Sequence, residues 1–205
     1  MILYYVALLM LSITLVILTF RYKKFKSRFI FYFICFIYIS LATELIGLYL
    51  WKVLEVNNSW VFNIYTFFEF NLIALMYLNI TKDNKTEQVI KYVSIIFNII
   101  YFFSFFYTPL QDKYITVMDF LAISIFSLFY MRQLLNSEKI LNYKKHLPFW
   151  ITVGFLIFYL SSIPFQFVRE NLNTRRMFFI QMILIYIMHT CFIFGLLWSK
   201  EETKY

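Results

Sequence analysis

The stretch RYKKFKSRFIFYFICFIYISLATELIGLYLW, residues 21–51, decides how the rest of the chain is read. Its first eight residues hold five Lys and Arg; the twenty-three that follow hold none, and a single acid, Glu44. A helix of about 20 mostly apolar residues crosses a hydrocarbon core about 30 Å thick. Residues 29–51 are long enough to cross, and the basic cluster before them marks a cytoplasmic flank. A carboxyl inside such a run is costly to bury and points to function.

The same pattern recurs outward from this stretch. The 205 residues are 62% hydrophobic, 23% aromatic and 15% charged, with three Gly and three Pro. Soluble domains run at about 45–50% apolar and about 25% charged. A water-soluble fold of this length could not bury so much apolar surface. Disordered and disulfide-scaffold classes are excluded on the same composition. Seven apolar runs emerge: 2–20, 29–51, 60–80, 92–110, 114–134, 148–168 and 177–198. They lack the polar–apolar alternation of barrel strands, and lipid requires each segment to satisfy its own backbone. The expectation is an all-α, polytopic membrane protein. It is a single seven-helix transmembrane bundle over 1–205, with no soluble domain.

Charge orients it. The loops before runs two, four and six, the last counted from Arg132, together with the tail, hold fourteen of the nineteen Lys and Arg. The positive-inside rule then puts the N-terminus outside and the C-terminus in the cytoplasm. Trp51 and Trp60 fall at outer ends, and Trp150 and Trp198 at inner ends, as aromatic belts favour. Run one lacks a basic leader and reads as a retained anchor rather than a cleaved signal. Abundant Phe, Ile, Lys, Asn and Tyr points to an AT-rich, bacterial genome and hence to an inner cell membrane. The net charge of +8 belongs to insertion and to anionic lipid, so no nucleic-acid partner is expected. The bilayer is the first partner, and the basic loops are where a cytoplasmic protein would dock.

Three acids lie within runs: Glu44, Glu69 and Asp119. Apart from Arg132 at the inner end of run five, no Lys or Arg lies within any run to neutralise them. Asn63, Asn71, Asn98, Gln181 and His189 are polar in the same runs, with Gln166 near the outer end of run six. At about 1.5 Å per residue, Glu44 lies about 10 Å and Glu69 about 14 Å from the outer ends of their runs. The inner half reads as Phe, Ile, Leu and Tyr. This predicts a pocket opening outward over an apolar floor, with Glu44, Glu69, Asn63, Tyr65, Asp119, Gln181 and His189 as ligand-binding candidates. Ser40, Thr43, Glu44 and Gly47 follow i, i+3, i+4, i+7 and so share one helical face. Tyr65 and Glu69 are i, i+4. The short 52–59 connection brings Glu44 and Glu69 toward each other. Arg169, Arg175 and Arg176 stand at the mouth. Pro164 should kink run six, with Ser161 and Ser162 answering the freed carbonyls.

Each polar residue also has a plainer reading as interhelical glue, worth about 0.6 kcal/mol on average where measured. Cys35 and Cys191 read as packing residues. No HExxH, GxSxG, P-loop or GxGxxG occurs, so neither cofactor nor metal is expected. The leading expectation is a binding, sensing or effector protein whose pocket takes a proton, a cation or a small polar ligand. A proton or cation transporter comes second, because its path through the inner half would need homo-oligomerisation. An intramembrane lipid-modifying enzyme, with Glu69 and His189 as acid and base, comes third.

Overall fold

The computed structural model describes residues 2–107, 113–168 and 174–199. They form eight α-helices: α1 (Ile2–Arg21), α2 (Arg28–Lys52), α3 (Ser59–Ile80), α4 (Asn84–Tyr107), α5 (Lys113–Leu135), α6 (Leu147–Phe155), α7 (Ser161–Val168) and α8 (Thr174–Trp198). A π-helical turn, Leu156–Leu160, joins α6 to α7, so expected run six is one helical stretch with a widened middle. The helix starts have local causes. Ser27 accepts a hydrogen bond from the Ile30 amide at the head of α2. Asp83 accepts from the Thr86 hydroxyl and amide at the head of α4, and these bonds hold its carboxyl below the usual carboxylate range. Pro148 occupies the first turn of α6, where its missing N–H costs nothing.

Six stretches are long and apolar enough to cross a membrane: Leu3–Phe25, Arg28–Lys52, Ser59–Ile80, Tyr114–Leu135, Leu147–Phe167 and Phe178–Trp198. The protein is therefore all-helical and multi-pass. The expected run 92–110 is the later part of α4, and its last residues fall outside the described set. The first two turns of α4 carry Lys85, Glu87 and Lys91, with Glu87 and Lys91 paired at 2.5 Å. Beyond them α4 lies along α3. The Asn71 and Asn98 amides exchange hydrogen bonds at 2.9 Å, Phe97 stacks on Phe70 at 3.8 Å, and the Tyr101 hydroxyl donates to the Asn63 carbonyl. Asn71 and Asn98 are thus interhelical glue.

The outside of the bundle is apolar, as a lipid-facing surface must be. Phe20 is 84% exposed, and Tyr38, Ile95, Phe102 and Leu197 are exposed too. Trp51 and Trp60 are exposed at the α2–α3 end and Trp198 at the opposite end. The core is aromatic: Phe33, Phe155 and Phe192 meet edge to face at 5.1–6.5 Å, and Tyr159 adjoins Phe155. The end away from the carboxyls, expected to be nearly all Phe, Ile, Leu and Tyr, also holds a small polar cluster. The buried Tyr77 hydroxyl meets Ser127 at 2.7 Å and donates to Thr152 at 3.3 Å, tying α3, α5 and α6 together. Pro164 lies beyond the π turn, whose last residue, Leu160, is the one whose carbonyl a proline at 164 frees. Ser162 does not answer as expected, since its buried Oγ has no partner.

The α6–α8 seam depends on two glycines. A methyl on Gly195 would lie 2.5 Å from Trp150 Cβ, and one on Gly154 would lie 2.7 Å from Phe192 and 3.1 Å from the Met188 carbonyl. Trp150 Cβ is fixed to its backbone and cannot swing away. Gly195→Ala should therefore cost on the order of 1–3 kcal/mol, measured as a lower melting temperature in lipid nanodiscs. An unchanged melting temperature would mean the seam has slack.

Candidate functional site

The site grows from the side chains that the bundle buries at its α2–α3 end. Glu44 is half-buried on α2, and Tyr4 of α1 donates to its Oε2 at 2.7 Å. Glu69 is buried on α3. Its Oε1 accepts from Tyr65, one turn earlier, at 3.1 Å, and from Tyr159 at 2.5 Å. Tyr159 sits within the π turn. The widened turn is where this side chain leaves the helix, so the irregularity and the hydrogen bond belong together.

These residues enclose a cavity of about 110 Å³ between α1, α2, α3, the π turn and α8. Ser40, Thr43, Glu44, Tyr65, Glu69 and His189 supply its polar wall, and Leu11, Phe62, Phe158, Met182 and Met188 belong to its apolar wall. Among the described residues, neither Lys nor Arg lines it. His189 is 4% exposed. Its Nδ1 lies 3.1 Å from Thr14 Oγ1, whose one hydrogen is donated to the Met10 carbonyl at 2.8 Å. Nδ1 is therefore the donor in this contact, and in a neutral ring Nε2 is left as an acceptor.

The hydroxyl chain is one hydrogen short. Ser40 donates to the Phe36 carbonyl at 2.7 Å, and Ser40 and Tyr65 are 2.8 Å apart. With the two bonds into Glu69, four hydrogen bonds draw on the three hydrogens of Ser40, Tyr65 and Tyr159. The fourth must come from the carboxyl itself or from an incoming donor. Acceptors predominate in what remains: among the described residues, Glu44 Oε1, Glu69 Oε2 and His189 Nε2 have no partner, against one unengaged wall hydroxyl, that of Thr43. Asp119 is 1% exposed, and both of its oxygens lack partners. It interacts electrostatically with Glu69 and Tyr159.

Four of the seven candidates, Glu44, Tyr65, Glu69 and His189, line one cavity. Asp119 stands behind its wall. Asn63 is outside the wall, with its carbonyl taken by Tyr101 of α4. Gln181 is half-buried on α8, one residue before the lining Met182, and is also outside it. Arg169 and the side chains of Arg175 and Arg176 fall outside the described residues. Tyr4, Thr14 and Tyr159 were not among the sequence candidates. One tyrosine of seventeen carries no mark of its own, although Pro164, five residues on, marks the irregular turn that holds Tyr159.

Fold and site together define a class: an all-helical multi-pass membrane protein with a carboxyl-lined cavity inside its bundle. No family model, no curated protein and no solved structure matches the chain.

The Tyr159–Glu69 bond sets a quantitative test. Tyr159→Phe should cost about 1–3 kcal/mol, because it leaves a buried charged-group acceptor short of a donor. In a double-mutant cycle with Glu69→Gln, the two changes should couple by at least about 0.5 kcal/mol. Additive losses in nanodisc denaturation would show that the bond contributes nothing specific.

Proposed function

We propose that this protein is a small membrane receptor or effector that binds a hydrogen-bond donor, a proton or a cation in the Glu44–Glu69 cavity and passes the state to a cytoplasmic partner. One observation carries the reading: the Glu44, Glu69 and Asp119 carboxyls keep unpartnered oxygens in and behind the cavity wall, and among the described residues no basic side chain answers them. A buried polar group without a partner is costly, so an incoming donor gains what the empty cavity forgoes. The bundle crosses seven times in this reading, with the N-terminus outside and the C-terminus in the cytoplasm. The lengthwise pairing of α4 with α3 supports the seventh crossing. The gathering of Lys24, Lys82, Lys144 and Lys145 at the α1–α2 end supports the orientation. The basic end is then the face offered to the partner.

Conduction through one chain is disfavoured. Between Glu69 and Tyr77 on α3 stands Ile73, and between Tyr159 and Thr152 stands Phe155, both fully buried. An ion leaving the cavity toward the other end meets this apolar level.

The test is melting in lipid nanodiscs with sodium, potassium, ammonium or methylammonium, for wild type and Glu69→Gln. A ligand at 100 times its Kd stabilises by about 2.7 kcal/mol. At least one cation should raise the wild-type melting temperature and leave the variant unmoved. Identical flat responses would remove the site from consideration. Topology has its own check: a cysteine at Asn57 should react with an impermeant maleimide on intact cells, and one at Ser137 only after permeabilisation. The reverse pattern would invert the orientation.

A further inference from the structure

The carboxyl-lined cavity is not isolated. A second pocket of about 330 Å³ lies beside it at the α2–α3 end, and Tyr4 and Phe62 belong to both walls. The second pocket is lined by Trp51, Leu48, Phe178, Tyr5 and Gly47, with little polar surface. Among the described residues its one cation is Lys52, which donates to the Tyr5 hydroxyl and lies 4.8 Å from that ring. One compartment thus offers mainly acceptors, two carboxyls among them, and the adjoining one offers chiefly aromatic and aliphatic walls. The two touch across a partition of two side chains.

We infer that the ligand is an amphiphilic monoamine: an ammonium head held by Glu44, Glu69 and the His189 Nε2 lone pair, with an alkyl or aryl tail in the outer pocket. This rests on the binding reading above and narrows it to one ligand class. An ammonium group brings three donors and a full charge, which matches the acceptors and the unanswered carboxyls. The rings of Tyr4, Tyr65 and Tyr159 around the head add cation–π attraction. Lys52 sets the polarity of the tail. A second positive charge at the far end would be placed in an apolar pocket beside an existing cation, so diamines are rejected. Tyr4 and Phe62 form the partition, and the Tyr4 hydroxyl already bonds Glu44. A head entering from the outer pocket therefore displaces or shares that hydrogen bond.

The experiment is binding to full-length protein in nanodiscs, each probe compared between wild type and variant so that partition into lipid cancels. The probes are methylammonium, butylammonium, hexylammonium, 1-hexanol, hexanoate and hexane-1,6-diammonium. Each methylene should tighten binding about three- to fourfold. Hexylammonium should bind far better than 1-hexanol or hexanoate, and hexane-1,6-diammonium no better than butylammonium. Glu69→Gln and Glu44→Gln should lose the preference for the ammonium over the alcohol. Gly47→Ala places a methyl 2.9 Å from Phe62 Cζ and should press that ring into the partition, reducing the gain per methylene. Trp51→Ala, at an exposed residue, should reduce that gain without threatening the fold. If all three alkylammonium ions bind equally and Glu69→Gln abolishes all of them, the cation site stands and the amphiphile is wrong. If 1-hexanol matches hexylammonium, the carboxyls do not hold the head and the inference fails. If no probe distinguishes wild type from the Glu variants while sodium or potassium still does, the ligand is inorganic and the inference fails with the binding reading intact.

Discussion

Everything in the polar part of this bundle depends on answering the Glu69 carboxyl without water. In hydrocarbon a buried polar group finds its partners inside the protein or pays for their absence. Glu69 receives Tyr65 from its own helix and Tyr159 from a neighbouring one. The second donor exists only where the α6–α7 stretch opens into a π turn. The turn in turn lies just ahead of Pro164, whose ring deprives the helix of one hydrogen bond. A backbone defect, a tyrosine and a carboxylate thus form one unit, and α2, α3 and α8 pack around it.

The same logic separates the polar residues of the cavity from those that only join helices. Asn71 and Asn98 satisfy each other through both amide groups, and Tyr77, Ser127 and Thr152 close a network of their own. Each is complete, so each has nothing to offer a ligand. The cavity differs because its set is incomplete: carboxyl oxygens remain without donors, and acceptors outnumber donors. That asymmetry, rather than the count of acids, makes it a site.

Much of this was legible in the residues, and the illegible part has a physical cause. An acid in an apolar run stands out because burial is costly, so Glu44 and Glu69 declared themselves. Tyr65 followed by helical spacing and His189 by depth. Asn63 and Gln181 satisfied the same depth argument yet lie outside the cavity wall. Depth is read from position along the helix, but azimuth depends on neighbours. In a helix apolar on nearly every side, no polar face fixes the rotation. Tyr4, Thr14 and Tyr159 were hidden for the opposite reason: tyrosine and threonine are unremarkable in a membrane helix until a partner is seen. The α4 segment was read as a span from its apolar half alone, and its charged first turns leave it the least apolar of the long helices.

The two polar levels bear on what kind of state change the bundle can transmit. The cavity and the Tyr77–Ser127–Thr152 cluster share α3 and the α6 stretch, and fully buried Ile73 and Phe155 stand between them. Nothing polar needs to pass for the levels to communicate, because both are fixed to the same helices. Phe155 also meets Phe33, Phe36 and Phe192 edge to face, so a shift of the π turn would be felt on α2 and α8 together. Close-packed aromatic layers transmit displacement rather than absorb it. A donor that completed the Glu69 hydrogen-bond set would change the pull on Tyr159, and Tyr159 lies in the least regular turn of the bundle. The helix beyond it begins at Leu147, beside the basic 142–146 segment. Coupling from the cavity to the basic end then needs no mobile domain, only a helix whose least regular turn is held by the Glu69 carboxyl.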